Sequence, residues 1–275
     1  MNRGKNSTKG TGNKLLLPEP NSLMVEERRQ QILSHLNADG RVIVGALATI
    51  FGVSQITIRK DLDSLDERGV LRRSHGGALP ASLGTSVDLS IQEKQTLNAP
   101  EKERIAAAAM KLVEEAGCIM LDSGTTTTAI AKNLKKFHAL TIITNAINIA
   151  TELAATNFEI ILTGGSLRKN SFSLVGPLAE DVLQEVHADV LFLGVDGFDL
   201  QIGLSTPSLL EARVNRAMIN SAKKVVVVCD STKFSRRSLS HISPISAIHH
   251  VITDTGLPDS IAQELKRLDI EVTLV

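Results

Sequence analysis

Two short stretches of this 275-residue chain carry side chains in patterns suited to chemistry. The first is Ser54-Gln55-Ile56-Thr57-Ile58-Arg59-Lys60-Asp61-Leu62. At helical spacing Ile58, Leu62 and Leu65 share one face, leaving Gln55, Thr57, Arg59 and Lys60 on the other. Those types read duplex DNA: Gln pairs with adenine, Arg with guanine, and Thr and Lys reach backbone phosphates. A helix start capped by Ser54 also favours a phosphate. The second stretch is Asp122-Ser123-Gly124-Thr125-Thr126-Thr127-Thr128. It is a small, hydroxyl-rich loop between an apolar run and a helical stretch. Converging backbone N–H groups, the helix dipole and Thr hydroxyls suit it to an anion. No Lys follows the Gly, so it is not a Walker A loop, and it lacks the GxGxxG spacing. Each stretch has a plain alternative: a solvated amphipathic face for the first, a Thr-rich cap without a ligand for the second.

The elements around the first stretch form a known plan. Val25–Asn37 has Val25, Ile32, Leu33 and Leu36 at helical spacing, and Asp39-Gly40 ends it. Val44–Phe51 is a second, shorter helix, Gly52-Val53-Ser54 a turn, and Ser54 the cap of a third helix through about Glu67. Val70–Arg73 reads as a strand and His75-Gly76-Gly77-Ala78 as the return. Three helices and a hairpin make a winged helix-turn-helix over residues 23–79. Its candidate DNA contacts are Ser54, Gln55, Thr57, Arg59 and Lys60 on the helix, with Arg72, Arg73 and His75 in the wing.

Residues 1–22 read as a disordered tail, and residues 80–99, with Pro80, Gly84 and several Ser and Thr but no period, as a linker. A helix then starts at Asn98 to Pro100 and runs to about Ala116. Over residues 100–275 short apolar runs alternate with helical stretches. The runs are Cys118–Leu121, Leu140–Thr144, Phe158–Thr163, Val190–Val195, Val225–Cys229, His250–Thr253 and Glu271–Val275. Near-continuous Ile, Leu and Val mark parallel strands buried on both faces, so an α/β fold with a doubly wound, mostly parallel sheet is predicted.

Composition narrows the function. Net charge is zero, but residues 1–79 hold twelve Lys/Arg against eight Asp/Glu, and the rest eighteen against twenty-two. A mildly basic front agrees with DNA binding. Seven Phe with no Trp or Tyr disfavour single-stranded nucleic acid, which binds by stacking on aromatic rings. Cys118 and Cys229 sit in apolar runs without metal spacing and read as buried thiols of a reducing cytoplasm. No metal, cofactor or catalytic residue is expected, and His138, His187, His241 and the His249-His250 pair read as surface residues. No apolar run of about eighteen residues is present, so no membrane span is expected.

The stretch GVSQITIRKDLDSLDERGVLRRSHGGA resembles the signature of the DeoR family of bacterial sugar-metabolism repressors. The likeness continues through LDSGTTT, ITN, LTGG, VGP, LFLGVDG, GLST, EARV and DSTKF in order, over nearly all of residues 24–275. GLSTPSLLEARVNRAM and STKFSRRSLS are most similar to repressors of N-acetylgalactosamine and galactosamine utilisation within that family. The family's sensor domain resembles the sugar-phosphate isomerase and coenzyme-A transferase superfold. The resemblance therefore implies a repressor released from operator DNA by a phosphorylated sugar seated on the strand ends. Candidate contacts there are Asp122, Ser123, Gly124, Thr125, Thr126, Thr127, Asn145, Gly164, Gly165, Arg168, Asp196, Glu211 and Lys233. Arg168 or Lys233 would pair with phosphate, and Asp196 and Glu211 would take sugar hydroxyls; each also fits a surface cap or ion pair. The rival is an isomerase-like enzyme using Asp196 and Glu211 for acid–base work, which leaves residues 24–79 unexplained. A small DNA domain also implies a homo-oligomer, dimer or tetramer.

Overall fold

The computed structural model describes residues 25–39, 41–68, 70–74, 76–80 and 88–275. The tail expected over residues 1–22, His75, the Arg72 side chain and linker residues 81–87 lie outside the described residues.

The first domain runs α1 (Val25–Asp39), β1 (Val42–Ile43), α2 (Val44–Phe51), α3 (Gln55–Glu67), β2 (Leu71–Ser74) and β3 (Gly77–Pro80). Ser54 caps α3 by accepting the Thr57 backbone N–H at 3.1 Å. The apolar face read from the sequence is the buried one: Ile58, Leu62 and Leu65 meet Ile32 and Leu36 of α1 and Leu47 of α2 in one core. Asp61 lies on that face too, and its carboxylate meets Arg28 at 2.6 Å and Arg29 at 3.1 Å, both from α1.

The three strands pair antiparallel in the order β1-β3-β2, which makes the wing. Gly77 sits where β3 crosses β1. A Cβ there would stand 2.0 Å from the Val42 carbonyl oxygen. Gly77→Ala is therefore expected to cost about 1–3 kcal/mol by forcing the strands apart. The check is the thermal midpoint of the first domain; an unchanged midpoint would show that the strand shifts freely.

Within the stretch read as linker, residues Ile91–Thr96 form a short helix, α4. Its start is a capping box: Ser90 accepts the Glu93 N–H while Glu93 accepts the Ser90 N–H. Next comes α5 (Ala99–Ala109), which stops short of the expected Ala116 because the chain tightens into a 3-10 turn at Met110–Leu112.

The second domain continues β4 (Cys118–Leu121), α6 (Thr125–Leu134), β5 (Thr141–Thr144), α7 (Ile147–Leu153), β6 (Glu159–Leu162), β7 (Ser166–Arg168), β8 (Ser173–Val175) and α8 (Pro177–Gln184). After these come β9 (Ala188–Leu193), β10 (Gly197–Asp199), β11 (Gly203–Thr206), α9 (Leu209–Asn220), β12 (Ala222–Val228), β13 (Ser240–Ser243), β14 (His250–Thr253), α10 (Asp259–Arg267) and β15 (Glu271–Leu274). Seven strands, one from each apolar run, form a single parallel sheet in the order β15-β14-β12-β9-β4-β5-β6.

The continuous apolar runs divide between two faces at period two. Met120, Leu191, Leu193, Val225 and Val227 pack with α8, α9 and α10. Ile119, Leu121, Val190, Phe192, Val226 and Val228 pack with α5, α6 and α7. The predicted doubly wound α/β class is borne out. Two small antiparallel additions, β7-β8 and β10-β11-β13, were not read from the sequence.

Two readings of single residues are corrected. Cys118 is half-buried, and only Cys229 of the pair is buried. His250 is buried, because β14 is an interior strand; its Nε2 lies 2.9 Å from Thr273 Oγ1.

Candidate functional site

The exposed edge of α3 carries Gln55, Arg59 and Lys60, with Ser54 exposed just before it. Thr57 is half-buried, its hydroxyl 2.9 Å from that of Ser54. Ile56, 65% exposed, completes the edge, an apolar residue in a position its type does not signal. The structure gives Arg73 internal partners. Its Nε donates to Asp63 Oδ1 at 2.8 Å and its Nη1 to the Gly77 carbonyl at 2.9 Å, bracing the wing on α3. Arg72 stands in β2 opposite Leu79.

In the sheet, β4 leads on to β5 and β6 on one side, while β9, β12, β14 and β15 extend the other. The switch point falls between β4 and β9, where open α/β sheets form a crevice beyond the strand ends. The loops leaving those strands are 122–124 and 194–196, and Asp122 Oδ2 accepts the Gly194 N–H across the gap at 3.2 Å. A cavity of about 800 Å³ opens there.

The cavity gathers Asp122, Ser123, Gly124, Thr125, Thr126, Asp196, Glu211 and Lys233. The start of α6 thus faces it with N–H groups that have no partner inside the helix. Other expected contacts lie elsewhere. Thr127 is buried, its hydroxyl donating to the Gly124 carbonyl. Asn145 is buried and donates to the Leu174 carbonyl at 3.2 Å. Gly164 and Gly165 shape a turn. Gly165 has φ 112°, and a Cβ there would lie 2.7 Å from the Val175 carbonyl, so backbone packing accounts for it. Arg168 turns to carboxylates instead of the cavity, meeting Glu211 at 3.2 Å as well as Asp88.

Sequence reading missed much of the opposite wall. Lys94 of α4, Asn98 and Lys102 of α5 line the cavity, with Asp230 and Arg236. Leu33 and Leu36 of α1 and Val70 also line it, so both domains contribute. One signal was available: Ser90-x-x-Glu93 is a helix-start pattern inside the supposed linker.

Lys94 Nζ lies 2.7 Å from Asp196 Oδ1, and Lys233 Nζ lies 3.9 Å from the same oxygen. Burial works to raise the Asp196 carboxyl, but Lys94 and Lys233 outweigh it and bring it down to about 2. Burial, followed by the nearby charge of Glu211, raises the Asp122 carboxyl well above its ordinary value despite hydrogen bonds from the Ser123 and Gly194 backbone.

Burial lowers Lys102 to about 8, aided by Lys233 and Lys94 and opposed mainly by Asp230. Below about 8 the ammonium is charged in the folded and unfolded chain alike, and its burial cost is fully present. Between about 8 and 10.5 the folded chain sheds the proton first, so stability gains with rising pH. Anion affinity moves the opposite way. Binding of a sugar phosphate is expected to weaken between pH 7 and pH 9 while the unliganded chain does not lose stability through this group. Titration calorimetry at both pH values checks it; equal affinities would remove Lys102 from anion binding.

Comparison with known proteins matches this division of the chain. Residues 28–82 match the DeoR-like helix-turn-helix domain, and residues 97–255 match the DeoR C-terminal sensor domain. A protein of Escherichia coli O157:H7 named for repression of the aga operon is 42% identical over 90% of this chain and 93% of its own. The glycerol-3-phosphate regulon repressor of Escherichia coli K12 is 33% identical over 90% of this chain and 98% of its own. A ribose 5-phosphate isomerase structure from Methanocaldococcus jannaschii aligns at 17% identity over 50% of this chain and 55% of its own, with a TM-score of 0.38. No helix among the described residues is long and apolar enough to cross a membrane. Matched in both halves and along nearly its whole length by named relatives, the chain belongs to the DeoR family.

Proposed function

We propose that this protein is a DNA-binding transcriptional repressor of a carbohydrate operon, released from its operator by a phosphorylated sugar bound in the switch-point cavity. The observation that carries the reading is the cavity itself. A helix start bearing Thr125 and Thr126 faces Lys94, Lys102 and Lys233 across it, a setting for phosphate. Asp196, Glu211 and Asp122 stand beside that setting to pair with sugar hydroxyls. The names of the relatives support operon repression, and the aga relative makes amino-sugar phosphates the first to test. Asp196, held at about 2, is poorly matched to general-base work at neutral pH, which tells against the isomerase reading.

Operator binding falls to α3. Gln55, Arg59 and Lys60 are of the types that reach base edges and phosphates, and the small winged helix needs a second copy to read a full site. The protein acts as a homo-oligomer in the cytoplasm. Arg59→Ala is expected to weaken operator binding by about 1–3 kcal/mol and to relax base preference at one position. Fluorescence anisotropy on duplexes selected from a random pool measures this, and unchanged affinity would move recognition away from α3. A thermal-shift panel of sugar phosphates tests the cavity, since a ligand of the folded state raises the midpoint by mass action. No shift with any member of the panel would reject the sugar-phosphate reading.

A further inference from the structure

Helix α4 is held by both domains at once. On the sensor side, Lys94 pairs with Asp196 at 2.7 Å. Lys102 donates its ammonium hydrogens to the carbonyls of Lys94 and Leu97 and so caps the end of α4. The Ile91 N–H donates to the Asn170 carbonyl at 2.8 Å. On the DNA-domain side, Leu97 packs against the winged-helix core. Glu93, while capping α4 with one carboxylate oxygen, gives the other to Arg68. Arg68 is the residue that closes the C-terminus of α3, the recognition helix, and it also meets Glu26 of α1 at 3.0 Å.

The two cations tied to α4 are also cavity residues. Lys94 is part of the helix, and Lys102 holds its last carbonyls. An anion entering the cavity competes with Asp196 for Lys94 and with the backbone for Lys102. It therefore acts on the placement of α4. A shift of α4 reaches α3 through the Glu93–Arg68 pair, because Glu93 stands one residue before Lys94 on the same short helix.

We propose that α4 is the coupling element of the protein: a phosphorylated ligand moves it through Lys94 and Lys102, and Glu93 passes the movement to Arg68 at the end of the recognition helix. Glu93 and Arg68 are positioning residues that touch neither ligand nor base. The inference rests on the cavity being the sugar-phosphate site.

The test uses the full chain, a selected operator duplex, and galactosamine 6-phosphate as the probe, with inorganic phosphate as a second probe. Glu93→Gln keeps the cap of α4, since Gln also serves at that position, and removes the charge facing Arg68. Arg68→Gln cuts the same pair from the other side, so a folding defect peculiar to one variant does not decide the outcome. In the wild-type chain, saturating probe is expected to weaken operator binding about tenfold, within the usual range for coupled sites. In both variants the response is expected to fall to about twofold or less, while probe affinity without DNA stays at the wild-type value. Linkage requires the reciprocal result, a loss of the operator's effect on probe affinity. A full response in both variants overturns the relay and leaves the cavity reading standing. Failure of both probes to bind the wild-type chain overturns the cavity reading and the relay with it.

Discussion

Asp61→Ala is expected to unfold the winged helix and abolish operator binding while the second domain stays folded. Asp61 is 2% exposed and holds two arginines of α1 against α3. Arg28, itself 7% exposed, would be left as a buried charge without its partner. Removing one member of such a pair typically costs about 3–5 kcal/mol, because the surviving charge stays desolvated. A domain of this size rarely has more than a few kcal/mol to lose. Calorimetry of the full chain should show the low-temperature transition of the first domain lost or sharply lowered, and anisotropy should show no operator complex. If the domain melted at its usual temperature, the Arg28–Asp61–Arg29 cluster would not be what clamps α1 to α3. Asp61 lies two residues from Arg59, so this loss must be kept apart from Arg59→Ala, which is expected to spare the fold because Arg59 is exposed.

The second large effect is expected at Lys233. It lines the cavity on a 3-10 turn, and its ammonium stands 3.9 Å from Asp196, where Lys94 sits closer at 2.7 Å. Of the cavity lysines, Lys94 is paired closely with Asp196 and Lys102 with backbone carbonyls, which leaves Lys233 the most available to a phosphate. A hydrogen bond to a charged group contributes about 1.5–3 kcal/mol, so Lys233→Ala should weaken sugar-phosphate binding roughly 10- to 100-fold. Operator affinity without sugar should stay the same, and Lys233→Arg should recover part of the loss. Wild-type sugar affinity in Lys233→Ala would place the phosphate elsewhere in the cavity.

Much of the fold was legible in the chain. Ile58, Leu62 and Leu65 had to be buried together because they recur at helical spacing, and Ser54 had to begin the helix because its side chain satisfies an otherwise unpaired N–H. The apolar runs had to be strands of a covered sheet, because only a sheet covered on both faces buries residues such as Val225 to Val228 without a break; the runs at Glu159–Leu162 and Glu271–Leu274 end up on its two edges and are only half-buried. The Asp122–Thr128 loop was legible as a candidate anion cradle for the same local reason: small residues between a strand and a helix expose backbone donors.

The rest depended on where distant segments meet. The sequence around Arg168 and Asn145 looks as suited to a ligand as that around Lys233, yet Arg168 spends its charge on Asp88 and Glu211, and Asn145 turns to the Leu174 carbonyl. Arg73 looks like a phosphate contact until Asp63 and Gly77 are found beside it. Neither Lys94, in the stretch read as linker, nor Lys102, on the helix after it, was marked by its neighbours as a cavity residue, because what brings both to the cavity is the docking of α4 over the strand ends. Residue type and spacing determine local hydrogen bonding and which face is apolar, and those marked out the two domains, the exposed face of α3 and the loop before α6. Which charges remain available is a property of pairwise distances across the folded chain, and only the tertiary structure decided it.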